Sequence, residues 1–385
     1  MERDSAAALS ELEQAYRDPR AGIVRASEAG KRVIAYCGQG IPEELILAAG
    51  CAPVALVPDA NLPTPLADEQ FDREGNPWTK SMFEQLAGPA ADSFELAIIG
   101  PPFSEVSNII EDVRRYDETL ANVVPLYYFE LVLRQIPRNR RFAEERTTAL
   151  VRRLNALVET ELDDAALAEA IALTNRRREA MKKLIDARRG EAVISGAAAY
   201  RALGARKFMD ADGYTAGLDA ITASLAPAAD LQGRPRIVLA PSSALAHDQA
   251  HEALEAAGAL IVAEDDSGGA RTDVQLIDTE GDPLAAIAAH YHETTLGHHM
   301  FPAERRLEWI KTEAIKPDVD GVVFYAEDSH FGWDFPELKA HLEAHGKEAV
   351  LFDADARTPK GWAELEEMAR PFVERLAAKR EERSR

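Results

Sequence analysis

Residues 32–57 read RVIAYCGQGIPEELILAAGCAPVALV. Residues 32–36 (RVIAY) are an apolar run of strand length, and Cys37-Gly38-Gln39-Gly40 is a loop. Residues 42–50 are a helix with Pro42 at its start and Gly50 at its end, where helices favour these residues. Residues 53–57 (PVALV) form a second strand. A buried strand, a short glycine loop, a helix and another apolar strand is the repeating unit of a parallel sheet covered on both faces.

The same order recurs outward from this stretch. Arg236–Ala240 (RIVLA), the loop Pro241-Ser242-Ser243, a helix over His247–Gly258 and the strand Ala259–Ala263 (ALIVA) repeat it. Leu96–Gly100 (LAIIG) leads through Pro101-Pro102-Phe103-Ser104 into a helix over 105–116, followed by the apolar stretch 122–127. Gly321–Tyr325 (GVVFY) precedes a loop at 326–335, a helix at 336–345 and a strand at 349–352. Between Arg138 and Leu225 the spacing turns helical, with no proline from 138 to 226. The expected fold is therefore α/β, with two doubly wound parallel-sheet domains, 1–137 and 233–385, joined by a helical region, 138–232. Basic clusters in that region (Arg152-Arg153, Arg176-Arg177-Arg178, Lys182-Lys183, Arg188-Arg189) are expected on a solvated helix face.

Composition narrows the function. A chain of 385 residues is long enough for two or three domains, and 46% hydrophobic residues exclude intrinsic disorder. A net charge of −22, from 66 Asp plus Glu against 44 Lys plus Arg, excludes general affinity for nucleic acid or anionic membrane. An anionic ligand must then meet a local positive site. Two cysteines, Cys37 and Cys51, supply neither a disulfide framework nor four thiolates for a metal cluster. With no secretory-type apolar segment and no run of spanning length, a cytoplasmic protein is expected.

Ligands of open parallel sheets bind outside the carboxyl ends of the strands. That rule selects the loops 37–40, 101–105, 241–243 and 326–332, and a cleft between the two domains brings them together. Candidate substrate contacts are Cys37, Gly38, Gln39, Gly40, Glu105, Ser242 and Ser243. Cys37 is either a thiolate exposed near a helix start, with a lowered pKa, or a small residue packed at a strand end; Cys51 reads as core. Ser104 is either an N-cap or a hydroxyl facing substrate. Asp328 and His330, with Glu327, place carboxylate and imidazole in one loop suited to acid–base work. His290, His292, His298 and His299 lack the spacing of ligands on one helix face and are expected in a surface loop. Glu264-Asp265-Asp266-Ser267-Gly268-Gly269 reads as a turn at the cleft. Walker, GxGxxG and GxSxG motifs are absent.

Residues 34–54, IAYCGQGIPEELILAAGCAPV, resemble the opening signature of the 2-hydroxyacyl-CoA dehydratase and benzoyl-CoA reductase subunit family. Further landmarks follow in order: Gly233–Ala240, the Ala256-Ala257-Gly258 turn with Val262–Asp266 and Gly269–Arg271, and Val319–Phe324. The resemblance covers about residues 30–355. It implies two α/β domains with helical additions, in a two-subunit enzyme whose subunits typically hold a 4Fe-4S cluster and bind a CoA thioester between domains. An ATP-hydrolysing activator delivers a low-potential electron, and a ketyl radical eliminates water or accepts reduction.

The chain departs from that family where the cluster cysteines belong. Ser104 and Asp328 occupy two of the three positions, and the third falls near Pro77 or Trp78; Cys37 lies 67 residues before Ser104, too early to replace it. Hard oxygen donors replace thiolates poorly, so no cluster is expected on this chain. Two readings follow. In one, the chain is the cluster-free subunit of a dehydratase (lyase) or reductase heterodimer, shaping the acyl-CoA site beside a cluster-bearing homologous subunit. In the other, the fold serves a cluster-independent role, as a homo-oligomeric binding protein for an acyl-CoA or small acid, or as an enzyme using Asp328 and His330 with a divalent metal.

Overall fold

The computed structural model describes residues 5–59, 62–70, 77–101, 103, 106–108, 110–111, 123–241, 248–266, 269–271, 273–297, 301–326, 334–353 and 359–384. Two four-stranded parallel sheets organise them. The first contains β1 (Val33–Cys37), β2 (Ala52–Ala55), β3 (Leu96–Ile99) and β4 (Leu126–Tyr128), in the order β2-β1-β3-β4. The second contains β5 (Arg236–Pro241), β6 (Leu260–Glu264), β7 (Gly321–Ala326) and β8 (Glu348–Asp353), in the order β6-β5-β7-β8. The two sheets share one topology, as the repeated strand–helix–strand pattern predicts. Every expected strand is present, shifted by a few residues at its ends.

Each sheet is buried on both faces, which is why its strands are apolar along their length rather than alternating. Ile34 and Tyr36 point into one core with Leu45 and Ile46, while Val33, Ala35 and Cys37 point into the other with Met82 and Phe83. Leu45 and Ile46 are fully buried, and each such side chain contributes roughly 1.5–3 kcal/mol. Both AAG turns stop their helices in the same way. Gly50 and Gly258 sit at φ 70° and 103°, the left-handed conformation that costs glycine least.

Between the sheets, the helices Pro137–Val158, Asp164–Arg189, Gly196–Gly204 and Ala211–Ser224 form a helical layer. The N-terminal helix Ser5–Arg17 joins this layer, burying Ala8, Leu12 and Ala15 against Leu184, Leu203 and Leu218.

The solvated face expected for the basic clusters needs correction. Arg177, Arg178 and Arg188 are at most 5% exposed. The helix Asp164–Arg189 lies between the two halves of the molecule, so its basic face meets protein carboxylates instead of water. Arg176, Lys182 and Lys183 remain on the surface, with exposed acidic partners.

Candidate functional site

The strand order reverses between β1 and β3, and this is where a doubly wound sheet opens a crevice. Here the two following loops are stitched together. Gln39 N donates to the Pro101 carbonyl at 2.9 Å. Gly38 has φ 100°, and a Cβ there would stand 2.4 Å from the Gly100 carbonyl oxygen, so only glycine fits.

Above these loops lies a cavity of about 600 Å³, within the ~300–1,000 Å³ of small-molecule pockets. Its walls include Gly38, Leu56 and Phe103 beyond β1, β2 and β3, and Asp248, Arg271 and Trp362 beyond β5, β6 and β8. Both sheets thus direct their carboxyl ends at one space, with the helix Asp164–Arg189 closing a side. Among the described lining residues, Arg17, Arg177, Arg178, Arg206, Lys207 and Arg271 are cationic, against the carboxylates of Glu43, Asp59, Asp248 and Asp273. Cations outnumber carboxylates in this lining, and Arg17, Arg177, Arg178, Arg206 and Arg271 each have a carboxylate partner.

A buried ionic network holds the walls. Glu43 takes Arg177 at 2.7 Å, Tyr36 at 2.7 Å and Arg206 at 3.4 Å. Glu44 takes Arg178 at 2.9 Å and the Tyr291 hydroxyl at 2.8 Å. Burial alone would raise the pKa of Glu43; Arg177 and Arg206 overcome it and carry the carboxyl down to about 2. Burial opposes ionisation of Glu44 too, and Arg178 reverses it. The two glutamates of the PEEL segment are therefore fixed anions that position arginines. The sequence signal was visible as paired acidic residues in an otherwise apolar helix and paired arginines at 177–178, without any indication that they meet.

On the other side, Glu264 takes Arg188 at 2.6 Å and His251 at 2.9 Å. Against the cost of burial, these partners bring its carboxyl down to about 2. Asp265 takes Arg271 at 2.5 Å and Arg306 at 2.6 Å. Of the acidic run expected as a turn at the cleft, Glu264 and Asp265 are buried and paired and do not line the cavity, and Ser267 and Gly268 lie outside the described residues.

Of the residues expected to contact substrate, Cys37, Gly38, Gln39 and Gly40 line the cavity. Ser104, Glu105, Ser242, Ser243, Glu327, Asp328 and His330 lie outside the described residues. The reading of Cys37 as an exposed, low-pKa thiolate is corrected: it ends β1, is 2% exposed, and burial pushes its thiol up to about 12. The histidine segment is corrected as well. His290 and His292 are buried on the helix Pro283–Thr294, with His290 on Asp273 at 2.5 Å, and His298 and His299 are outside the described residues.

Among the described residues no donor set fits an iron–sulfur cluster. Cys37 and Cys51 are both buried and belong to the cores on opposite faces of the first sheet, so they cannot be two ligands of one cluster. Pro77 begins the helix Pro77–Ala87 and offers no donor. Among the described residues no group of three His, Cys, Asp or Glu is arranged to hold a metal ion, and no helix is long and apolar enough to cross a membrane.

A family model for the 2-hydroxyglutaryl-CoA dehydratase D-component matches residues 40–376. No curated protein matches the chain.

Proposed function

The chain belongs to the 2-hydroxyglutaryl-CoA dehydratase D-component family, and from that premise we propose that it is a dehydratase- or reductase-type component subunit that shapes an acyl-CoA thioester site and holds no 4Fe-4S cluster itself. The supporting observation is the cavity of about 600 Å³, lined by six cations against four carboxylates in a chain of net charge −22, at the carboxyl ends of both sheets. In this reading it lies between α/β domains 1–137 and 233–385, with the helical region 138–232 as its side wall. The loop Cys37–Gly40 contacts the ligand. Ser104, Glu105, Ser242, Ser243, Asp328 and His330 belong to segments that follow β3, β5 and β7 in the chain and complete the set. The chain's own contribution is to attract an anionic ligand, hold it against a rigid ionic framework and exclude water. Electron chemistry falls to a cluster-bearing homologous subunit in a cytoplasmic heterodimer served by an ATP-dependent activator.

The test is anaerobic production of the chain alone and with a cluster-bearing homologue, measuring iron, acid-labile sulfide, oligomeric state and thioester binding. The expected result is a heterodimer whose iron and sulfide follow the partner, with thioester bound. A stable cluster on the isolated chain would refute it.

The cavity is walled within one chain, which favours a second reading: a homo-oligomeric binding protein for an acyl-CoA or small acid. Tight thioester binding without any partner, by a chain that associates only with itself, selects that reading.

A further inference from the structure

Lys207 ends the single 3-10 turn Ala205–Lys207, between the helices Gly196–Gly204 and Ala211–Ser224. It lines the cavity and is half-buried. Its neighbours there have partners: Arg177 and Arg206 hold Glu43, and Arg178 holds Glu44. Lys207 has no hydrogen bond or ion pair among the described residues. Burial and the neighbouring Arg206 lower its pKa, and the more distant carboxylates of Asp266 and Glu43 offset this only in part.

Two more lining residues carry buried donor atoms without an acceptor among the described residues. Arg271 is 5% exposed; it holds Asp265 and the Leu296 carbonyl, while its Nη2 has no partner. Gln39 lays its carboxamide against Gly297, and its buried Nε2 is also unpartnered. Unpaired buried donors cost stability, and a charged one costs most. A ligand that brought only hydrogen-bond donors or apolar surface would leave all three unsatisfied. One that brought negatively charged oxygens would pair with Lys207 and add acceptors beside Arg271 and Gln39.

We propose that Lys207 is the anion-recognising residue of the cavity, with Arg271 and Gln39 as supporting donors, and that it takes an oxyanion, carboxylate or phosphate, of the bound molecule. This rests on the cavity being a ligand site, and is independent of which subunit holds a cluster.

Titration calorimetry on the full chain tests it with adipoyl-CoA, hexanoyl-CoA, coenzyme A and dephospho-CoA against wild type, Lys207→Met and Lys207→Arg. The expected result is a loss of about tenfold or more in affinity for the anion-bearing probe in Lys207→Met, largely restored in Lys207→Arg. Loss confined to the preference for adipoyl over hexanoyl identifies a carboxylate; loss of the preference for coenzyme A over dephospho-CoA identifies a phosphate. Lys207→Met is expected to fold, because it removes a half-buried charge that makes no hydrogen bond or ion pair among the described residues, and thermal unfolding checks this. Equal affinities of wild type and Lys207→Met for all four probes would overturn the role of Lys207 while leaving the cavity as a ligand site. No binding of any probe to wild type would remove both.

Discussion

Arg178 Nη2 lies 2.9 Å from Glu44 Oε1, with the arginine side chain 4% exposed and the glutamate fully buried. The pair joins the helix after β1 to the long helix 134 positions later, and Tyr291 from the second half donates to the other carboxylate oxygen. One carboxylate therefore ties together three distant parts of the chain beside the cavity.

Removing one member leaves the other charged and buried. Arg178→Met or Glu44→Gln is expected to lower unfolding free energy by about 3–5 kcal/mol, read from urea unfolding. Arg176→Met, whose partner Asp212 is exposed, is expected to change it by less than about 1 kcal/mol. Similar effects from Arg176 and Arg178 substitutions would contradict the buried network.

Acid sensitivity follows from the same chemistry. Glu43 and Glu264 are brought from 4.5 to about 2 in the folded protein. A depressed carboxylate contributes stability that is complete above its unfolded pKa and is lost as pH falls through the folded one. Stability is therefore expected to fall between about pH 4.5 and 2. Glu264→Gln is expected to be less stable at neutral pH and to have a shallower slope in that window. An unchanged slope in urea titrations across it would count against these carboxylates.

Two glycines beside the cavity are expected to respond differently to alanine. At Gly38 the added carbon meets the Gly100 backbone at 2.4 Å, with φ 100°, so Gly38→Ala is expected to cost about 1–3 kcal/mol. At Gly297 it meets the end of the Gln39 side chain at 1.5 Å, which can swing aside. Gly297→Ala is expected to leave the melting temperature nearly unchanged while altering ligand affinity through Gln39. Equal melting temperatures for the two variants would show that the loops after β1 and β3 are not held in contact.

Neither thiol is expected to react in the native state. Cys37 is 2% and Cys51 3% exposed, and burial raises both pKa values, that of Cys37 to about 12. Labelling with a disulfide reagent at pH 8 is expected to modify neither without denaturant and both in it. Rapid native labelling of Cys37 would show that β1 ends in an open site.

The strand stretches and their order were legible because residues buried on both sheet faces must be apolar throughout, and helix ends need proline and glycine at set places. Five lining residues, Cys37–Gly40 and Phe103, fall in loops selected by the carboxyl-end rule. The arginines and Lys207 do not. On one helix, Arg176 and Arg178 look alike in the sequence, and only packing shows that one meets water and the other Glu44. His290 and His292 misled for the same reason: their spacing suits a loop as well as a helix whose neighbours bury it.

From the sequence alone came the α/β architecture, the duplicated sheet pattern, the absence of a thiolate set and the family resemblance, all of which depend on residue type and short-range spacing. Tertiary structure alone decided which charges are paired and which, like Lys207, has no hydrogen bond or ion pair among the described residues. The buried partner of an ion can lie far along the chain, as Glu44 lies 134 positions from Arg178, and local sequence carries no record of such a meeting.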